Sequence, residues 1–460
     1  MAGIGFVLRK LYMRDDLSGL VAACLHSTFA SAGPWLCTVL AIGTISIIER
    51  SITGTSNLLE FRVILIYNFS FSLVISGPVY MVVTRYLSDS IYRRDVSGAQ
   101  GLLLGSLVLL WGISTALAST FYFFYASFAS VMALSAIINF ALLSAVWLTA
   151  IFISAMRNYK LITHAFLSGM LFAVFSSAIL SRNYGAAGIL NGFSAGLSII
   201  AAVLIGNFLA EYPYPVHKPF AFLPYFQKYW EIALSGFVYS AAIWVDKWIM
   251  WFAPEATRMD NYLVIYPAYD SSMFIAYLTT VPAMALFLFS AETTFYERYT
   301  RFYRDIERKA TLAKIEKNHL LIMRAIFDSS RSFLIIQGGI AFLGILVAPQ
   351  IISMIQGNFS QIGMLRYGLL GSFFQILTMF QVILLTYFDN RKACLGIQTL
   401  FLATNAIFTL FSLQAGFSYY GMGYFFASFV TFLVAAFVTY SYVRRLPYHT
   451  FITSNASVKR

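Results

Sequence analysis

Long apolar runs, broken by short polar punctuation, dominate the chain. A bilayer-crossing helix needs about 20 predominantly apolar residues. Twelve stretches meet that rule: 20–48, 63–86, 99–124, 129–155, 161–180, 185–209, 230–253, 262–290, 332–355, 365–388, 393–413 and 420–443. The fifth and sixth are separated only by SRNYG at 181–185, which reads as a tight hairpin. The pattern therefore predicts an all-α polytopic membrane protein with twelve transmembrane helices. Two polar segments interrupt it. EYPYPVHKPFAFLP at 211–224 holds four of the chain's 11 prolines, and such sequence cannot continue a helix and behaves as a semi-rigid connector. It divides the chain into six-helix halves, 1–210 and 230–460, joined by a cytoplasmic linker at 211–229, an organisation many secondary transporters share. No clear self-similarity between the halves is visible in the letters. Residues 292–331 are the only long hydrophilic stretch. There Phe295, Tyr299, Phe302, Ile306 and Ala310 recur at helical spacing on a charged background. That stripe fits a solvated extension of the eighth span, a partner-docking helix, or a helix lying on the anionic inner membrane surface.

Composition sharpens the class. Only 11% of the 460 residues are charged and 59% are apolar, with mean hydropathy +0.74, against roughly 25% charged in an average soluble domain. Too little charge remains to cover a soluble surface, which excludes disorder, a nucleic-acid-binding domain and a secreted disulfide scaffold. The net charge of +12 follows topology instead. With both termini placed in the cytoplasm, 25 of the 31 basic residues fall on inside segments. Arg50, Arg62, Arg182, Arg258 and Arg366 fall outside, and Lys247 falls within a span. Such a bias sets orientation and supports an even number of spans. The first 20 residues carry five charges and no continuous apolar core, so no cleavable signal peptide is expected. Cys24, Cys37 and Cys394 sit in apolar stretches, and the five histidines are scattered, so neither a metal site nor a disulfide framework is readable.

No phosphate-binding G-x-x-x-x-G-K-[ST] loop, H-E-x-x-H or D-x-D pair occurs. The reading is therefore of a non-enzyme without cofactor or metal, and an integral-membrane sugar or acyl transferase is disfavoured. What remains lies inside the spans. Ser31-Ala32-Gly33-Pro34-Trp35 and Ser76-Gly77-Pro78 interrupt the first two. Proline there frees a carbonyl and kinks the helix, so Gly33, Pro34, Gly77 and Pro78 are hinge candidates, with a static packing kink as the alternative. Asp246 and Lys247 in the seventh span and Asp270 in the eighth are ionisable groups, and both aspartates lie about eight residues, roughly 12 Å, from the outside ends of their helices. Intramembrane charge is expensive unless paired or wetted. Neighbours on a helix point about 100° apart, so one arrangement pairs Lys247 with Asp270 and turns Asp246 toward a cavity; a purely structural ion pair is the alternative. Trp244 and Trp248 flank the site and could stack on sugar faces or belong to an interfacial belt. With one lysine against two aspartates, this composition suits a neutral or cationic cargo better than a pyrophosphate.

MAGIGFVLRK at 1–10, SAGPW at 31–35, ISGPVYMVVTRYLSDSIY at 75–92, IWVDKWIMWF at 243–252, YDSSMFIAYLTTVPAMALFLFSAETTFYERY at 269–299 and the LLTYFDNRKA that begins at 384 together resemble the PelG family of exopolysaccharide secretion proteins, over nearly the full length. The resemblance implies a twelve-span fold similar to multidrug/oligosaccharidyl-lipid/polysaccharide (MOP) transporters. It also implies a place in the bacterial inner membrane in Pel export, with a cytosolic glycosyltransferase and the membrane proteins PelD and PelE as partners. The polymer it implies is a partly deacetylated, cationic glycan, which agrees with the acidic residues read inside the spans. On this view the chain translocates the polymer or its precursor, with Asp246, Lys247, Asp270, Trp244 and Trp248 lining the path. The alternative is a scaffold that recruits and activates the glycosyltransferase through Arg301, Arg304 and Arg308.

Overall fold

A computed structural model describes residues 17–52, 54–126, 128–156, 158–290, 295–355 and 357–453, without side-chain detail at 17–31, 155, 159, 286–290 and 453. The opening motif at 1–10, Lys459 and Arg460 lie outside the described residues. Helices follow one another in chain order. They are α1 (Leu17–Ile52), α2 (Thr55–Tyr92), α3 (Ala99–Ser119, ending in a wider turn at Thr120–Tyr125), α4 (Ser130–Ala155), α5 (Tyr159–Glu211), α6 (Leu223–Lys228) and α7 (Trp230–Met250). A two-residue hairpin, β1 (Thr257–Arg258) paired antiparallel with β2 (Val264–Ile265), leads to α8 (Pro267–Leu278) and α9 (Val281–Ser290). Then come α10 (Tyr296–Glu307), α11 (Leu312–Leu346), α12 (Ala348–Met354), α13 (Gln361–Tyr387), α14 (Arg391–Ala415) and α15 (Met422–Arg444).

Among the described residues, nine helices are long and apolar enough to cross a membrane. One of these is α5, whose 53 residues are two helices merged across Gly185, where φ is 55°. Only glycine adopts that conformation without strain, so the hairpin turns at the last residue of SRNYG. Its two arms then pack tightly: Ser176 Oγ donates to the Gly192 carbonyl (2.9 Å) and Ser177 Oγ to that of Ile189 (3.0 Å). α7 has the length to cross, but its charged pair lowers its apolarity. The stretch expected as one span at 262–290 is instead the β-hairpin followed by two short helices that part at Thr279 and Thr280. The expected helix over 292–331 is likewise two. Lys309, at φ 54°, and the bond from Ala310 N–H to the Asp305 carbonyl (2.9 Å) end α10, and α11 then runs from Leu312 unbroken through the apolar stretch to Leu346.

The chain forms two compact units, Gly33–Tyr266 and Met1–Ala32 with Pro267–Arg460. The first therefore includes α7, the helix that follows the proline-rich connector. Inside that unit the connector is fixed rather than loose. Gln100 Nε2 donates to the Leu209 and Tyr212 carbonyls (3.2 and 2.6 Å), and a Cβ on Gly101 or Gly105 would collide with the His217 or Pro219 backbone. At its far end Arg85, ion-paired to Asp89 at 3.2 Å, lies over the Tyr229 ring at 5.2 Å.

The interior of the Gly33–Tyr266 unit holds a polar knot. Tyr122 Oη donates to Asn68 Oδ1 (2.6 Å), Asn68 Nδ2 to Asn139 Oδ1 (2.9 Å), and Asn139 Nδ2 to Ser194 Oγ (2.9 Å). These four buried side chains tie α2, α3's terminal turn, α4 and α5 together. Between membrane helices, where apolar contact brings no hydrophobic gain, such bonds and close small-residue contacts supply the adhesion.

Candidate functional site

α2 and α7 meet along a seam that positions the ionisable residues. At one level Gly77 faces Gly236 so closely that a Cβ on either would lie 2.5 Å from the other's carbonyl oxygen. α2 is continuous through Gly77 and Pro78, and α1 through Gly33 and Pro34; in this conformation Gly77 serves close packing. Further along, Trp248 stacks on Phe71 (5.0 Å, 5°) and Trp251 on Tyr67 (4.6 Å, 19°). Tyr67 Oη in turn donates to the Val264 carbonyl (2.9 Å) and accepts from its N–H (3.2 Å), which holds the β-hairpin onto α2. One face of the Trp248 ring is thus already covered. Trp244, one turn earlier, is half-buried.

Asp246 is fully buried and Lys247 is 6% exposed. Lys247 Nζ lies 3.0 Å from both carboxylate oxygens of Asp246 and donates to the Ile243 carbonyl at 3.0 Å. This corrects the expectation that the two neighbours face apart. Their Cβ atoms do diverge, but the four-carbon lysine stem is long enough to fold back. The pair has no net charge, so it supplies none of the acidic bias inferred from composition.

Depth is corrected as well. Lys247 falls in the last turn of α7, and Asp270 in the first turn of α8 rather than eight residues inside it. Pro267 opens α8 because a first-turn position needs no N–H donor. A cation near a helix C-terminus and an anion near an N-terminus each complement the helix dipole, so both residues occupy electrostatically favourable ends. Asp270 is half-buried. It lies in the other compact unit from Asp246 and Lys247.

Glu49, just past the first apolar run, is fully buried near the end of α1. α1 and α2 both extend further than hydropathy marks, and that places Glu49 and also Arg50 and Arg62 on helices. Asn68 and Asn139 are buried inside the spans as well, and their signal in the sequence is a neutral amide within an otherwise apolar run.

The third candidate surface is α10. Its stripe packs inward: Phe295, Phe302, Ile315, Ile322, Phe380, Leu384 and Leu446 form one cluster, and Tyr299 Oη donates to the Tyr387 carbonyl (2.9 Å). A stripe buried against α11, α13 and α15 is unavailable to a membrane surface. Asp305 is buried beneath it, accepting from Asn318 Nδ2 (2.8 Å) and facing Lys314 Nζ (3.4 Å). The Asn318 hydrogen bond, with Lys314 and Arg304 adding positive charge, holds the Asp305 carboxyl below the usual carboxylate range. Arg301, Arg304 and Arg308 are exposed on the opposite face.

The family model for PelG, described as "Putative exopolysaccharide Exporter (EPS-E)", matches residues 1–451. No curated protein matches. Among solved structures, the chain is similar to a multidrug resistance MATE family transporter of the MOP superfamily in its outward-facing conformation (TM-score 0.62, 13% identity, 92% of this chain and 96% of that one). It is also similar to the inward-facing conformation of such a transporter (TM-score 0.57, 13% identity, 91% and 95%). A third likeness is a MOP superfamily transporter from Pyrococcus furiosus, described as having a binding pocket of reverse polarity (TM-score 0.60, 14% identity, 92% and 96%). At these identities the likeness establishes the fold, that of MOP/MATE transporters.

Proposed function

The chain belongs to the PelG family, and from that premise we propose that it moves the polymer, or a precursor of it, across the bacterial inner membrane. Both termini lie in the cytoplasm in this reading, and the cytosolic glycosyltransferase, PelD and PelE are its partners. The observation that carries it is the family match over residues 1–451 on a fold that transporters share across nine-tenths of the chain. In this reading the halves 1–210 and 230–460 enclose the path, and the connector 211–229 joins them. Asp246, Lys247, Asp270, Trp244 and Trp248 line the path, and Gly33, Pro34, Gly77 and Pro78 permit the change of shape. No covalent step is assigned to it. Reconstitution with the purified synthase in sealed vesicles tests the proposal. Polymer is expected inside the vesicles only when this protein is present; equal lumenal polymer without it sinks the idea.

One observation favours a second role, recruitment of the glycosyltransferase. The apolar face of α10 is fully used within its own unit, while Arg301, Arg304 and Arg308 remain exposed. An exposed basic face on a rigidly held helix suits an acidic protein surface.

A further inference from the structure

Arginines and hydroxyls converge where α1 ends and α2 begins. A cavity of about 570 Å³ lies there, and the transport reading makes no use of it. Arg50 from α1 and Arg62 from α2 line it, with the hydroxyls of Ser46, Thr55 and Ser56 and an aliphatic wall that includes Leu58. Both guanidinium-bearing side chains line the same cavity. Arg62 Nε donates to Ser46 Oγ at 3.3 Å, which uses one of five guanidinium N–H donors. Among the described residues, no carboxylate lies within ion-pair distance of either arginine. Thr55 and Ser56 stand in the first turn of α2, whose capping residue Gly54 has no side chain to satisfy the leading amides. That turn adds the positive end of a 38-residue helix to the same cavity.

Two like charges and a dipole end facing one space call for an anion with several acceptor oxygens. Arginine pairs meet that description best with phosphate, which they grip in a planar, two-point fashion. The cavity far exceeds a bare phosphate, and its aliphatic wall, continued by Ile47 at 78% exposure, suits an attached apolar group. We propose that Arg50 and Arg62 bind the phosphate of an anionic phospholipid headgroup at the bilayer surface.

The test uses the full-length protein in detergent and native mass spectrometry, with phosphatidylglycerol, diacylglycerol of the same chains, and inorganic phosphate as probes. Phosphatidylglycerol is expected to remain bound, with diacylglycerol retained about tenfold less, and the double variant Arg50→Gln/Arg62→Gln should lose about tenfold in retention. Arg182→Gln, which alters an arginine outside the cavity, should leave retention unchanged. Should the double variant fail to fold, Arg50→Gln alone, at an exposed side chain, is expected to lose several-fold. Equal retention of phosphatidylglycerol by the arginine variants, or of diacylglycerol by the native protein, overturns the site. Displacement of the lipid by millimolar inorganic phosphate would assign it to a soluble phosphate and overturn the lipid assignment.

Discussion

Asp246 and Asp305 are both buried aspartates held by a lysine, yet they are held in different ways. Asp246 is ion-paired with its own sequence neighbour within α7. Asp305 is satisfied across a turn, by Asn318 and Lys314 from α11, so its pairing exists only when two helices are docked. A local pair can survive movement of the surrounding helices; a bridging one resists it. The first suits a place where shape must change, and the second a place where it must not.

The contrast can be broken most severely at Asp246. Asp246→Asn leaves a buried ammonium without its counter-charge, and loss of one partner of a buried pair costs about 3–5 kcal/mol. A large fall in thermal stability in detergent is expected. Removing both charges, Asp246→Asn with Lys247→Met, should restore stability to within about 1 kcal/mol while secreted polymer falls at equal protein level. Undiminished polymer from that double variant would leave the pair a structural device only.

A smaller effect is expected at Asp305. Its carboxyl is held below the usual range, so its contribution is full above the ordinary carboxylate pKa of about 4 and is lost as pH falls through the depressed value. Asn318→Leu should speed hydrogen exchange across 296–307 by about an order of magnitude and bring the acid loosening of α10 to higher pH. An unchanged pH profile would show that Asn318 does not set the carboxyl's affinity for its proton. The smallest effect on stability is expected from charge reversal at Arg301, Arg304 and Arg308, within about 0.5 kcal/mol because all three are exposed. If α10 docks the glycosyltransferase, the same variant loses it on co-purification.

Hydropathy marked most of the membrane helices because length and apolarity are the constraints a bilayer imposes. It could not find the break at Thr279 and Thr280, since the residues on both sides are equally apolar. It misjudged α10 for a related reason: an apolar stripe reads the same whether lipid or α11 covers it. The turn at Lys309 carries neither glycine nor proline, and so left no mark in the letters. At the site, identity was legible and geometry was not. Asp246, Lys247 and Asp270 stood out as charges in apolar runs, whereas the fold-back of Lys247 depends on side-chain flexibility that a helical projection ignores. The cavity at Arg50 and Arg62 was hidden because two helix ends longer than their apolar stretches looked like a loop.

α11 has a mechanical consequence. Its 35 residues span about 52 Å at 1.5 Å per residue, against a hydrocarbon core of about 30 Å. Some 20 Å of unbroken helix therefore stands clear of the hydrocarbon, and α10 is clamped to the near end of α11. The arrangement is a lever with a handle. A tilt of about 10° in the embedded part would swing a 20 Å arm through roughly 3–4 Å. A protein gripping α10 could feel, or drive, that swing.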